Sequence, residues 1–377
     1  MAQRHPDPTI VPAAGTGTDP TGPGTGTGTG TSPRPPAPGG PTAGAVLAPH
    51  LRERATRFLR TLRDLRDGEP HAVPALRENA HVTAAVLHTY GPLLDPDWAT
   101  GLRAELSWLA AGLGREHTYE ARLDRLQAAL HHLSRADGDG PAPGGRSASD
   151  PGPAASRVPA SRAPDALLPV GTARAAALLH RQLTLARTRA HSATLETLRS
   201  ERFHALADAM AVLVGEVPLA HPGEQLAPLC AAAATRVRTA ADALTAEAPD
   251  APGAPGSPDH RPADPYDETH DADWERLRRL LCLHRHAEDV LTAGQGPTED
   301  PTPADDTLAR AARALAEHRD AIGAAQAAAA AARTPRIAPA TAYALGVLHA
   351  DQRHEAAAAR EAFHRARPWA ATPAPVA

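Results

Sequence analysis

Two stretches of this chain set basic side chains at helical spacing. Residues 74–88 read PALRENAHVTAAVLH and residues 275–289 read ERLRRLLCLHRHAED. In a helix, offsets of 0, 3, 7, 10 and 14 fall along one face. The first stretch puts Pro74, Arg77, His81, Ala84 and His88 on that face. The second puts Glu275, Arg278, Cys282, Arg285 and Asp289 there, with Arg279 on the flank. A guanidinium is a planar fork that suits the oxygens of phosphate and carboxylate. Histidine adds charge mainly below its reference pKa of about 6.5. The candidate anion-binding residues are therefore Arg77, His81, His88, Arg278, Arg279 and Arg285.

Other chemistries find less support. A helical metal site favours histidines three or four residues apart, and no two histidines here stand so. His81 and His88 are two turns apart, and His131 and His132 point to different faces. Isolated pairs such as His284 with Glu288 read as surface contacts, there is no HExxH, and no metal or cofactor is expected. No GxSxG elbow marks a nucleophile. GTGTGTG at 24–30 lacks the Lys-Ser/Thr of a phosphate loop and any strand before it. The arginines at 181, 187, 189, 199 and 202 read as a solvated helix face. No catalytic residue emerges, and a non-enzymatic role is expected.

The elements that must carry these residues are helices. In AVLAPHLRERATRFLRTLRDLRDG, Leu47, Leu51, Ala55, Phe58, Leu62 and Leu65 form one apolar stripe. The cation-bearing stretch over 73–90 is a second helix. In LLDPDWATGLRAELSWLAAGLG, Asp95 is an N-cap and Pro96 a first helical residue, and Gly114 is placed to end the helix. Tyr119, Leu123, Leu126, Leu130 and Leu133 mark a fourth. Further helices are expected near 172–190, 192–215, 224–246, 271–293, 304–332 and 338–366. No segment alternates with the period of a strand.

Composition divides the chain. Of its 377 residues, 39 are proline and 29 glycine, clustered in stretches that cannot bury enough apolar surface to offset the entropy of ordering. These are a tail over 1–44, a linker over 136–170, an insert over 247–270, a shorter break over 294–303 and a tail over 369–377. They leave an N-terminal helical half over 45–135 and a C-terminal half over 171–368. Aromatic residues make up only 3%, so Leu, Ala and Val must build the core. The formal net charge of −4 gives no global basic field for nucleic acid or an anionic membrane. All 39 basic residues are arginine. Cys230 and Cys282 have no CxxC partner, as expected in a reducing, cytoplasmic setting. No apolar run is long enough for a membrane span, and no signal peptide is evident.

The order of these pieces resembles the CHAD family, the conserved-histidine α-helical domains. That family carries two related helices, one per half, patterned near H-x-x-R-[VK]-x-x-[RK]-R-x-R. GPLLDPDW at 91–98, LRAELSWLAAGLG at 102–114, LGREHTYE at 113–120, LRSERFHALADAM at 198–210 and AYALGVLHADQRHEAAAAREAFHRA at 342–366 are similar to the pieces that accompany them. The resemblance implies an all-α fold: two related antiparallel helical bundles with pseudo-two-fold symmetry, joined by Pro/Gly-rich linkers. It also implies a basic central cavity for inorganic polyphosphate or another polyanion.

The motifs are depleted. The family's histidines fall on Pro74 and Glu275. Downstream cations fall on His81, Val82 and Ala84, and on Cys282 and Leu283, while Arg77, Arg278, Arg279 and Arg285 remain. At 117–120 the family's Arg and two Asp become His117, Thr118 and Glu120. Each lost fork removes about 1.5–3 kcal/mol of charged hydrogen bonding. The expectation is a weakened polyphosphate site whose affinity rises as pH falls through about 6.5. The alternative is a helical scaffold for a protein partner, with phosphate binding lost.

Overall fold

Alanine, leucine and arginine fill the ordered stretches, all strong helix formers, and helices are what they build. The computed structural model describes residues 40–136, 168–246, 270–293 and 303–366. Among these, the helices are α1 (Ala48–Arg66), α2 (Ala72–Tyr90), α3 (Pro96–Ala136), α4 (Leu168–Arg199), α5 (Glu201–Gly215), α6 (Ala227–Ala246), α7 (Asp271–Ala293), α8 (Pro303–Ala332) and α9 (Pro339–Arg365). The described residues contain no strand, only two isolated antiparallel bridges, Thr42 with Gln225 and Leu94 with Leu219. The fold is all-α, as the periodicity predicts.

The expected tails, linker and inserts lie almost wholly outside the described residues. At their edges, Ala136 and Leu168–Val170 are helical, and Ala43 and Gly44 belong to a short helical turn ahead of α1. That turn is tied down. The Thr42 hydroxyl accepts from the Ala45 amide at 3.3 Å, and the Ala43 and Gly44 amides donate to the carbonyls of Glu224 and Pro222 at 2.9 and 2.8 Å. α1 closes with Gly68 at φ 79°, a left-handed position that glycine takes without strain.

Two helix boundaries differ from expectation. Gly114 does not end a helix: α3 runs unbroken for 41 residues, about 60 Å. Its apolar stripe stays in phase past the glycine, because Leu109 and Leu113 enter one core while Leu126 and Leu130 enter another. α4 likewise runs through 190–192 and stops at Arg199. Ser200 then caps α5, its hydroxyl accepting from the Phe203 amide at 3.2 Å.

α2 is the helix around which the first core assembles. Twelve of its residues are buried, including Asn79, Thr83, Thr89 and Tyr90, so it is enclosed nearly all round. It shares a core with Leu51 and Phe58 of α1, Leu106 and Leu109 of α3, Phe203 and Met210 of α5, Cys230 of α6, and Ala287 and Val290 of α7. Other cores join α3, α4, α8 and α9, and α6 through α9. α2 and α7 are therefore direct neighbours although about 200 residues separate them in sequence.

One buried ion pair locks the last helix in place. Arg353 of α9, with 2% of its side chain exposed, donates from Nη1 to Asp271 Oδ2 at the start of α7, 2.7 Å away. Removing one partner of such a pair strands a buried charge. Arg353→Ala should lower the urea-unfolding free energy by about 3–5 kcal/mol. Arg365→Ala, whose ion pair with Glu361 is exposed, should cost under about 1 kcal/mol.

Candidate functional site

α2 and α3 form an antiparallel helical hairpin, and α7 packs against α2. The three enclose a cavity of about 330 Å³. α2 supplies His81 and His88, α3 supplies Arg103 and Ser107, and α7 supplies Arg278, Arg279 and Cys282. Small alanines of α2 and α3 floor the space between them. Four of the six residues expected from spacing therefore meet around one cavity.

The other two do not join them. Arg77 lies half-buried along α3. A methyl group built on Gly114 would sit 3.4 Å from its Cδ and Nη1, so the glycine leaves room for the guanidinium to cross that helix. Arg285 is exposed on α7, outside the cavity lining, and its charge bears on Asp289. Arg103 is the residue that spacing along single helices misses. It stands 15 positions after His88, and only the hairpin brings its Nη1 to 2.7 Å from His88 Nδ1. The signal was the short GPLLD connection, which sets the two helices antiparallel.

The charges are partly spent. Arg278 donates Nε and Nη2 to both oxygens of Glu275, at 2.9 and 2.7 Å. Burial alone would raise the Glu275 carboxyl, but these bonds hold it below the usual carboxylate range. Arg279 reaches the same carboxylate only at 3.9 Å and is 66% exposed, so its fork is the more available. Burial, then the nearby Arg103 and Arg236, push His88 below its ordinary value. His88 thus accepts from Arg103 as a neutral imidazole at pH 7.

Beside the cavity, residues from α2 and α7 make a tight cluster. His81 Nε2 lies 3.3 Å from Cys282 Sγ, and the rings of His81 and His286 meet edge to face with centroids 6.0 Å apart. His286 Nδ1 is 3.2 Å from Asp289 Oδ2. Burial resists charge on this thiol, yet hydrogen bonds from His286 and His81 outweigh it and bring Cys282 down to about 6. Burial also opposes charge on His286, but Asp289 and Cys282 raise it to about 9. Between those values the pair is thiolate and imidazolium. Cys230, buried at 3.9 Å from His284 Nδ1, is pushed up to about 11 instead. Among the described residues no helix is long and apolar enough to cross a membrane.

The CHAD domain family matches residues 45–294. PptA from Streptomyces chartreusis is 46% identical, with 87% of this chain aligned to 99% of that one at a TM-score of 0.67. The crystal structure of the CHAD domain from the plant Ricinus communis is 17% identical, with 89% of this chain aligned to 97% of that one at a TM-score of 0.46. No curated protein matches.

The cysteines should react differently. In metal-free buffer, iodoacetamide should modify Cys282 with a rate that inflects near pH 6 and should spare Cys230 at pH 7. His286→Ala should move the inflection up toward the ordinary thiol range. Equal reactivity of both thiols at pH 7 would contradict this geometry.

Proposed function

Because this chain belongs to the CHAD domain family, we propose that the cavity between α2, α3 and α7 binds inorganic polyphosphate or a similar polyanion, without catalysing its turnover. One observation carries the reading: three guanidinium groups and two imidazoles, drawn from three helices, line a single cavity. Forks and imidazoles converging from different directions can hold successive phosphate groups through charge-assisted hydrogen bonds.

The same geometry supports weakened affinity. Val82 and Ala84, which stand at basic positions of the family pattern, are buried at 4% and 7% exposure. Arg278 is occupied by Glu275. The more available cations are Arg279, exposed and held to Glu275 only by contacts of 3.4 Å to its carbonyl and 3.9 Å to its carboxylate, and an Arg103 that must leave His88 to take a phosphate. A polyanion held this way displaces counterions, so binding weakens with salt, by extension from the nucleic-acid case.

Calorimetric titration of polyphosphate into the full chain tests this. Binding should be measurable at low ionic strength and fall as salt rises. The double variant Arg103→Ala, Arg279→Ala should abolish it. Glu275→Gln frees the Arg278 fork and removes a negative charge, so it should tighten binding about tenfold or more, on the scale of one charged hydrogen bond. The pH sign follows from His88. Its lowered value, set by burial and by Arg103 and Arg236, means that it gains charge only below about 6.5, so affinity should rise as pH drops under that point. Unchanged affinity in the double variant, or no binding even by Glu275→Gln, would reject the proposal.

A further inference from the structure

His81, Cys282 and His286 bring three donor atoms within 4.8 Å of one another. Two come from a single face of α7, since residues 282 and 286 are one turn apart. The third reaches across from α2, with His81 Nε2 already 3.3 Å from Cys282 Sγ. A four-coordinate ion with metal–nitrogen bonds near 2.0 Å and a metal–sulfur bond near 2.3 Å separates its donors by roughly 3.3–3.6 Å. A shift of about an ångström in these three side chains would close the cluster on such an ion.

A second feature of the cluster points the same way. A metal-binding imidazole usually donates its other N–H to a carboxylate, which fixes tautomer and ring orientation. His286 has such a partner, with Nδ1 at 3.2 Å from Asp289 Oδ2, and its ring also hydrogen-bonds Cys282, a bond that the ion would replace. The donor set selects among ions. One thiolate and two imidazoles suit zinc and its neighbours, whereas magnesium and calcium require oxygen ligands. Three protein donors leave a fourth position for water or another ligand, the arrangement of an open rather than a closed site. His81 and Cys282 both line the cavity, so that position borders it.

We infer that His81, Cys282 and His286 form a three-ligand site for a divalent ion of the zinc class, with its open position toward the cavity between α2, α3 and α7. On binding, the sulfur of Cys282 and one ring nitrogen each of His81 and His286 donate electron pairs to the ion, and the one proton shared by the Cys282–His286 pair leaves to solvent. No oxidation state changes. The thiolate cancels one of the ion's two charges, so a single positive charge remains at the cavity wall. Arg278 on α7 and Arg54 and His50 on α1 bear on the cluster from outside, and Asp289 offsets them. The site stands whether or not the cavity takes a polyanion.

Cobalt(II) is the probe, added to chelator-stripped full-length protein in phosphate-free buffer. A thiolate-to-cobalt charge-transfer band and the intense visible bands of four-coordinate cobalt should saturate at one ion per chain, and zinc should displace them. Zinc should also protect Cys282 from iodoacetamide. Cys282→Ser should abolish the charge-transfer band while Cys230→Ser keeps it. Asp289→Asn should weaken binding about 10–100-fold. His81→Ala alters an exposed position on α2 and so leaves folding intact; it should weaken binding at least as much. Absence of the bands, their survival in Cys282→Ser, or saturable binding that His81→Ala leaves unchanged would overturn the site.

Discussion

The contact between α2 and α7 is the constraint on which the rest of the site hangs. Tyr90, fully buried at the end of α2, donates its hydroxyl to the Ala287 carbonyl of α7 at 2.8 Å. Burial holds the phenol in its protonated, donating form. A buried hydroxyl left without a partner costs about 1–3 kcal/mol, so this bond fixes both the distance and the register of the two helices. Ala80, Leu87, Ala287 and Val290 pack in the same core. With the register set, His81 meets Cys282 one end of the contact away, and Arg278 faces the cavity that His88 also lines.

That packing explains the shortage of cations. A helix enclosed nearly all round cannot carry guanidinium groups on every face, because each buried charge must find an opposite charge or stay in water. α2 resolves this by placing valine and alanine where a surface helix could hold arginine. Where charge is kept inside, it is paired: Arg278 with Glu275, and Arg353 with Asp271. The cavity consequently has a mixed lining, with basic groups at its rim and alanines between them. α2 gave up part of its electrostatic reach for the hydrophobic contacts that hold the helices together.

Much of this was legible from residue patterns. Apolar stripes located the helices, and the Asp95-Pro96 start marked one of their boundaries, whereas the Ser200 cap fell inside a helix expected to run over 192–215. The misreadings had a common cause. Gly114 looks like a terminator by propensity, but an in-phase stripe with a core at each end outweighs a local cost of about 1 kcal/mol. Offsets along one helix grouped Arg77 and Arg285 with the others, although Arg77 lies against Gly114 of α3 and Arg285 is exposed outside the cavity lining. The same one-dimensional view passed over Arg103, which needs the hairpin. It also passed over the cluster of His81, Cys282 and His286, since a cysteine–histidine pair on one helix gains meaning only when a third donor arrives from another.

The most direct measurement is histidine side-chain NMR on ring-labelled protein, recorded while a short polyphosphate is added at low ionic strength. His81 and His88, the two histidines lining the cavity, should shift together and saturate together, while His180, His204 and His354, on outer faces of α4, α5 and α9, stay still. Shifts confined to the outer histidines, or no shift at His81 and His88 under conditions where the polyanion binds, would contradict the placement of the site between α2, α3 and α7.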